Sequence, residues 1–372
     1  MSLGAKRAVR ALGLMSGTSM DAIDAALIVT DGELILELGP SAEFPFAPEE
    51  RALLREAMAS ARGVERRDDR SGVLAIAEEL ITRKHAVAAV EFLKRCALRP
   101  ADIAVVGFHG QTMIHRPERG LTVQLGDGAA LAKAIGAPVV YDFRANDVAA
   151  GGQGAPLAPV YHRALVNSGD HPRPVAVVNL GGVANMTWIG EDGAMLAFDT
   201  GPGNALIDDW ALRHTGAPMD RDGALARRGV VNQAILEDML RKPYFFAPPP
   251  KSLDRNAFDL AALDGLSPED GAATLTALTA AALAHGAAQT PTPAKQWILI
   301  GGGARNPALV EVIRRTLPGD VALGEAVGWR SEAIEAQAFA FLAVRSLYGY
   351  PISFPGATGA PEPLTGGVLV RP

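Results

Sequence analysis

Cysteine is almost absent from this 372-residue chain. Cys96 stands alone, so neither an internal disulfide nor a cysteine-rich metal site can form, and a reducing compartment is expected. Positive charge is not in excess either. Lys and Arg total 35 against 41 Asp and Glu, leaving a formal charge of -6 and a pI near 5.7. No basic stripe exists to neutralise a nucleic-acid backbone, so any phosphate has to be gripped locally, by backbone amides and a metal ion. No apolar run approaches the roughly 20 residues that a membrane span needs, and Met1–Arg10 lacks the apolar core of a signal peptide. The expectation is a soluble, cytoplasmic protein without a nucleic-acid or membrane partner.

Familiar nucleotide and protease signatures are missing too. Nothing matches G-x-x-x-x-G-K-[ST], and no full G-x-G-x-x-G follows the first strand, which excludes P-loop and Rossmann sites. Gly17-Thr18-Ser19-Met20 resembles the serine loop of subtilisin-like proteases. With His109 and Asp199 as partners, however, the chain order would be Ser, His, Asp, whereas subtilisin runs Asp, His, Ser. Phe198-Asp199-Thr200-Gly201 resembles an aspartic protease, but that chemistry needs two such carboxylates and no second copy exists.

What is present is 48% hydrophobic and 20% charged, the composition of a globular chain long enough for two domains. Two stretches open alike. Arg10–Leu38 reads as strand, Gly/Ser/Thr turn, strand, Asp31-Gly32 hairpin, strand. Pro174–Gly201 repeats that order with a Gly-Gly turn and an Asp192-Gly193 turn. Further strands are expected at Ile103–Phe108, Pro138–Asp142 and Trp297–Ile300. Helices are expected at Val73–Cys96, after the Ser267-Pro268-Glu269-Asp270 cap, and at Glu332–Leu347. These patterns predict two lobes, each a sheet with helices packed on it. Residues 1–172 form the N-terminal lobe, to which the Gly- and Pro-rich tail 350–372 is open, and 173–349 form the C-terminal, nucleotide-binding lobe. The tail is expected to lie over the surface.

The turns carry the chemistry. Ser16-Gly17-Thr18-Ser19 places amides and hydroxyls where they can converge on an anion. Asp21 and Asp24 follow, and a carboxylate beside a phosphate cradle usually meets hydrated magnesium. In the second half Gly181-Gly182, Asp199, Gly201, Gly203 and Asn204 lie around a strand end that leads into a helix, whose N-terminus favours negative charge. Two such cradles, one per lobe, are expected to face each other across a cleft holding the nucleotide. Gly302 and Gly303 end another strand, either letting backbone approach the adenosine or simply making a tight strand-to-helix turn. His109 and His115 have no cysteine or acid nearby to complete a metal set; His109, Gln111 and Thr112 read as a polar substrate loop or as structural groups. Asp142, Arg144 and Asp147 sit on a loop at a strand's carboxyl end. Asp147, beside Gly151-Gly152-Gln153-Gly154, is a candidate general base; a turn residue or N-cap is the other reading.

Together, GLMSGTSMDAID, GFHGQTMIHRP, DFRANDVAAGGQGAPL, NLGGVANMT, FDTGPGNALID and EAIEAQAFAFLA span residues 13 to about 343 and resemble the anhydro-N-acetylmuramic acid kinase family. The resemblance implies a two-lobed α/β fold of the actin-like, ribonuclease H-like kind shared by hexokinase, actin and Hsp70-type ATPases. It implies ATP and Mg2+ as cofactors, an amino sugar as substrate, a homodimer, and a role in recycling cell-wall sugars. ATP would phosphorylate the 6-oxygen of 1,6-anhydro-N-acetylmuramic acid while water opens the anhydro bridge. By the same resemblance Asp147 activates the water and Glu335 lies near it. The segment Gly17, Thr18, Ser19, Met20, Asp21, Ala22, Ile23 and Asp24 holds phosphate, with Asp21 reaching magnesium through water. His109, Gln111, Thr112, Arg144 and Gln153 are carried over as substrate contacts. Two departures stand out. Ala22 replaces a usual glycine, which would cost about 1 kcal/mol if that backbone needs positive φ. Leu253-Asp254-Arg255-Asn256 replaces the usual Thr-Gly-Arg-Glu.

Overall fold

Small apolar residues alternating with tight polar turns make the first 45 residues an antiparallel meander: β1 (Val9–Ser16), β2 (Ala22–Thr30) and β3 (Ile35–Pro45). Asp31 shapes the second turn, its Oδ1 accepting from the amides of Glu33 and Leu34 at 2.8 Å, with Gly32 at φ 87°. Helices Pro48–Ser60 and Val73–Arg95 then lead to β4 (Val105–Phe108), which pairs parallel with β1. A separate hairpin of β5 (Gln111–Arg116) and β6 (Leu121–Leu125) follows. Helix Gly128–Ile135 then precedes β7 (Val139–Tyr141), parallel to β4. Leu12, Leu14, Ile23, Phe92 and Phe108 are buried in the core this sheet shares with its helices.

A computed structural model describes residues 6–372. The chain folds as two units, Met1–Gly169 with Ala333–Pro372, and Asp170–Glu332. The second unit repeats the plan of the first. β8 (Val175–Leu180), β9 (Val183–Ile189) and β10 (Met195–Pro202) form an antiparallel meander, and β11 (Gln296–Ile300) and β12 (Asp320–Leu323) extend it in parallel. Its strand order is β10-β9-β8-β11-β12, against β3-β2-β1-β4-β7 in the first unit. Third, second, first, fourth, fifth is the ribonuclease H-like order, and its occurrence twice in one chain is the two-lobed actin-like ATPase fold. Helix Pro268–Ala287 starts where the sequence marks it, with Ser267 Oγ accepting from the Asp270 amide at 3.0 Å. Trp210, Trp297, Phe198 and Phe245 fill this unit's core.

At Ala333 the chain returns to the first unit. Helix Ile334–Tyr348 is apolar on nearly all sides, with Ala336–Arg345 buried without a break, so it must be covered all round. It lies across β1 and β4 at two glycines. A Cβ on Gly13 would collide with the carbonyl of Ala336, and one on Gly107 with that of Phe339. Those glycines seat the helix, which explains why it belongs with the first sheet although the sequence pattern grouped it with 173–349. The tail also departs from expectation. Rather than lying over the surface, it forms β13 (Val368–Val370) on the free edge of β7 and buries Ile352, Ser353, Ala357 and Thr358.

Candidate active site

In each unit the first, fourth and fifth strands run parallel, and the segments leaving their carboxyl ends collect the polar residues, as open α/β sheets usually arrange. In the first unit three such segments are tied together. Ser16, at the end of β1, donates from Oγ to the Gly110 carbonyl after β4 at 3.1 Å. Gln111 Nε2 donates to the Gly17 carbonyl at 2.9 Å. The phosphate candidate Gly17 and the sugar candidates His109 and Gln111 are therefore neighbours. Thr112 lies on the same hairpin and accepts from Gln124 Nε2 at 3.3 Å.

The turn Gly17–Met20 closes by the Met20 amide donating to the Gly17 carbonyl at 3.1 Å, and Met20 takes φ 58°. Thr18 and Ser19 are left exposed at its tip, whereas the side chains of Met20 and Ile23 point into the core. Ala22 is the first residue of β2 and has no positive φ. The substitution of alanine for glycine there is free of the strain anticipated; the left-handed residue is Met20. Asp21 is largely solvent-exposed, 3.7 Å from Arg51 Nη1.

The segment after β7 supplies the acid–base groups. Asp147, on the short helix Ala145–Ala149, is buried and fixed at both carboxylate oxygens. Oδ2 accepts from the Gly154 amide at 2.6 Å and Oδ1 from Thr358 Oγ1 at 2.7 Å. Gly152 has no side chain because the carboxylate occupies that space. Arg144 donates to the Gly154 carbonyl at 2.8 Å and to His109 Nε2 at 3.0 Å. Burial lowers the Arg144 guanidinium to about 10, against the opposing pull of Glu335 and Asp147, so it stays charged at neutral pH. Because arginine can only donate, His109 Nε2 must accept and the imidazole proton sits on Nδ1. Burial first and Arg144 second hold His109 well below its ordinary pKa, so it is neutral. Gln153 has an exposed side chain, and its amide donates to the Thr358 carbonyl at 2.7 Å.

Two further acids border this group. Asp24 on β2 is raised from 3.8 to about 7, chiefly by burial and then by Glu43 and Glu335. Glu335, in the first turn of helix Ile334–Tyr348, remains open to water. Dense protein around it pushes its carboxyl upward and Arg144 pulls it down. Asp24, Glu335, Arg144, Asp147 and His109 thus form one electrostatically linked set within a single unit. Thr358 is the member that sequence reasoning missed. It lies 211 residues from Asp147, and a lone threonine in a Gly-rich tail carries no local signal.

The second unit gathers backbone instead. Gly181-Gly182 follows β8, Gly203-Asn204 follows β10 and Gly301–Gly303 follows β11. The Asn204 amide donates to the Gly181 carbonyl at 2.8 Å and the Gly203 amide to that of Gly182 at 3.0 Å. Gly303 packs on Leu180 and Asn204, so the three turns meet. Gly203 is obliged to be glycine by packing, since a Cβ there would strike the Gly181 carbonyl. Gly302 faces open space, with nothing within 4 Å of a Cβ built on it, whereas a Cβ on the exposed Gly182 would touch that of Ala205.

Asp199 and Gly201 stand apart from this group. Asp199 Oδ2 accepts from the Leu253 amide at 2.8 Å, and its carbonyl accepts from Tyr244 OH at 2.5 Å. Burial raises this carboxyl to about 6. Gly201 is packed against Ala282 and Phe245. Asp199 secures the loop that carries the Leu253–Asn256 departure.

Comparison with known proteins decides among sugar kinases of this fold. Residues 9–372 match the family model described as anhydro-N-acetylmuramic acid kinase. The chain belongs to the anhydro-N-acetylmuramic acid kinase family. It is 57% identical over 370 residues to the anhydro-N-acetylmuramic acid kinase of Azorhizobium caulinodans, covering 98% of this chain and 100% of that one. It is 53% identical over 363 residues to the enzyme of the same name from Nitrobacter winogradskyi, covering 97% and 99%. Among solved structures, component A of (R)-2-hydroxyglutaryl-CoA dehydratase from Acidaminococcus fermentans is similar at 12% identity and a TM-score of 0.47, covering 91% of this chain and 99% of that one. That likeness is too distant to bear on chemistry.

Among the described residues no helix is long and apolar enough to cross a membrane, and no group of three or more His, Cys, Asp or Glu could hold a metal ion. Asp21, a single exposed carboxylate beside the Gly17–Met20 turn with Arg51 as its neighbour, would hold a magnesium ion only through that ion's water shell, the usual state of magnesium beside nucleotide phosphates.

Proposed function

We propose that the chain transfers the terminal phosphate of ATP to the 6-oxygen of 1,6-anhydro-N-acetylmuramic acid while water adds at the anomeric carbon, giving N-acetylmuramic acid 6-phosphate and ADP. The observation that carries this reading, beside family membership, is the fixing of Asp147. A buried carboxylate held at both oxygens keeps free lone pairs aimed in one direction, as a general base requires. Asp147 takes the proton of a water whose oxygen bonds to the anomeric carbon. The bond from that carbon to the 6-oxygen breaks, the 6-oxygen bonds to the terminal phosphorus, and the bridging oxygen leaves with ADP. One oxygen is thus both leaving group and nucleophile, and phosphoryl transfer traps it.

Arg144 keeps positive charge beside Asp147 and Glu335 and orients neutral His109 toward the sugar. Gln111, Thr112 and Gln153 complete the sugar contacts. Phosphate contacts are assigned in the first unit to Gly17, Thr18 and Ser19, and nucleotide contacts in the second unit to the backbone of Gly181, Gly182, Gly302 and Gly303, with the amides of Gly203 and Asn204 holding those turns together. Asp21 would hold magnesium through water, and that ion would neutralise charge on the triphosphate. A cytoplasmic location and a homodimer belong to the same reading.

Phosphorus NMR of a mixture of ATP, magnesium and the anhydro sugar tests it. A phosphomonoester resonance should grow in step with ADP. Growth of ADP and inorganic phosphate alone, indifferent to the sugar, would mark the chain as an ATPase switch.

A further inference from the structure

We propose that Thr358 is a positioning residue for Asp147, making the C-terminal tail part of the machinery that aims the base. This rests on the reading of Asp147 as the general base. Thr358 is fully buried. Its hydroxyl has one proton and two acceptors in range, Asp147 Oδ1 at 2.7 Å and the Phe354 carbonyl at 3.4 Å. The shorter bond, to a charged acceptor, takes the proton. The Thr358 carbonyl meanwhile accepts from the Gln153 amide at 2.7 Å, and the next residue, Gly154, donates to Asp147 Oδ2 at 2.6 Å. A closed ring results, Asp147 to Thr358 to Gln153–Gly154 and back to Asp147. Each carboxylate oxygen is pinned by a different segment, and the two segments are pinned to each other.

The tail is itself anchored on both sides of Thr358. The Thr358 amide donates to the Phe354 carbonyl at 3.0 Å, and Asn146, adjacent to Asp147, donates from Nδ2 to the Thr365 carbonyl at 2.6 Å. β13 then pairs with β7, the strand that leads into the Asp147 segment. Without the hydroxyl, one carboxylate oxygen would lose its only protein donor among the described contacts and the carboxyl plane would be free to rotate. A base displaced by about 1 Å can cost on the order of 100-fold in rate.

The test is steady-state kinetics of Thr358→Val, Thr358→Ser and Asp147→Asn, with Thr358→Val also made in the Asp147→Asn background. Valine keeps the volume and loses the donor. The expected result is a kcat lower by roughly 10- to 100-fold in Thr358→Val with KM for the sugar within about threefold. Serine should restore most of the rate, and Thr358→Val should cost nothing further once Asp147 is Asn. Equal losses in the Val and Ser variants, or a loss carried by KM, would mean that Thr358 only packs. Wild-type kcat in Thr358→Val with an inactive Asp147→Asn would overturn this proposal alone, whereas a fully active Asp147→Asn would overturn the assignment of the base beneath it. AMPPNP binding by each variant, measured by calorimetry, separates these outcomes from misfolding: a Thr358→Val protein that binds it normally yet turns over slowly supports the proposal.

Discussion

The two units share a strand order and differ in what they place at the ends of their parallel strands. The first sheet ends in ionisable side chains: Asp147, Arg144 and His109, with Asp24 and Glu335 beside them. The second ends in glycines, where Gly182 and Gly302 present bare backbone and Gly203 and Gly303 let the turns pack together. In the proposed reading one scaffold serves two tasks, with the Gly17–Ser19 turn of the first unit also assigned to phosphate. Side chains that move protons need burial, counter-charge and fixed donors, all of which the first unit supplies. Amides that grip phosphate need only unobstructed backbone, which the second supplies.

The comparison breaks most readily at Asp147. Asp147→Asn should lower kcat by roughly 1000-fold, within the range of general-base catalysis, while calorimetry finds AMPPNP affinity unchanged. Comparable losses of both would mean that the first unit does not divide chemistry from nucleotide binding in this way. Next in size is a pair of glycines that look alike in sequence. Gly13→Ala should destabilise the protein by about 3 kcal/mol, because its Cβ would meet backbone of a buried helix that cannot retreat. Gly302→Ala should leave stability within about 0.5 kcal/mol, since its Cβ meets open space. Urea unfolding separates the two. Gly302→Ala should nonetheless weaken ATP by about tenfold, equivalent to about 1.4 kcal/mol, if that space is where the nucleotide lies. Undiminished affinity would remove Gly302 from the site.

A pH-dependent effect concerns Asp24. Its carboxyl is raised from 3.8 to about 7 in the folded protein, so between those values the folded state holds a proton that the unfolded chain has released. Stability contributed by this group is present at low pH and is lost as pH rises toward 7. Relative to Asp24→Asn, the wild-type urea midpoint should therefore fall across that interval. Parallel curves for the two proteins would show that Asp24 titrates normally.

Much of this division is legible in the amino-acid sequence. Gly/Ser/Thr and Gly-Gly turns between short apolar runs, with Asp-Gly hairpins at Asp31 and Asp192, mark both meanders because turn chemistry is local. Ser267 announces its helix for the same reason. What escaped notice is held by contacts distant in sequence. The helix Ile334–Tyr348 reads as an ordinary apolar helix, and only the missing Cβ atoms of Gly13 and Gly107, more than two hundred residues earlier, say which sheet it covers. The tail looks like surface coil because glycine and proline dominate it, and Thr358 gives no sign of the carboxylate it meets. At Ala22 the glycine pattern suggested strain, yet the left-handed backbone sits two residues earlier, at Met20. Asp199 and Gly201 have the composition of a phosphate turn, but Leu253, Tyr244 and Phe245 fold onto them, and Asp199 becomes an anchor for a loop.

In the proposed reaction water attacks carbon and the sugar oxygen attacks phosphorus. Running the reaction in 18O-enriched water and reading the products by mass spectrometry tests this directly. One labelled oxygen is expected at the anomeric position of the sugar phosphate and none on phosphorus. Label on phosphorus, appearing as free phosphate in proportion to ADP, would contradict it.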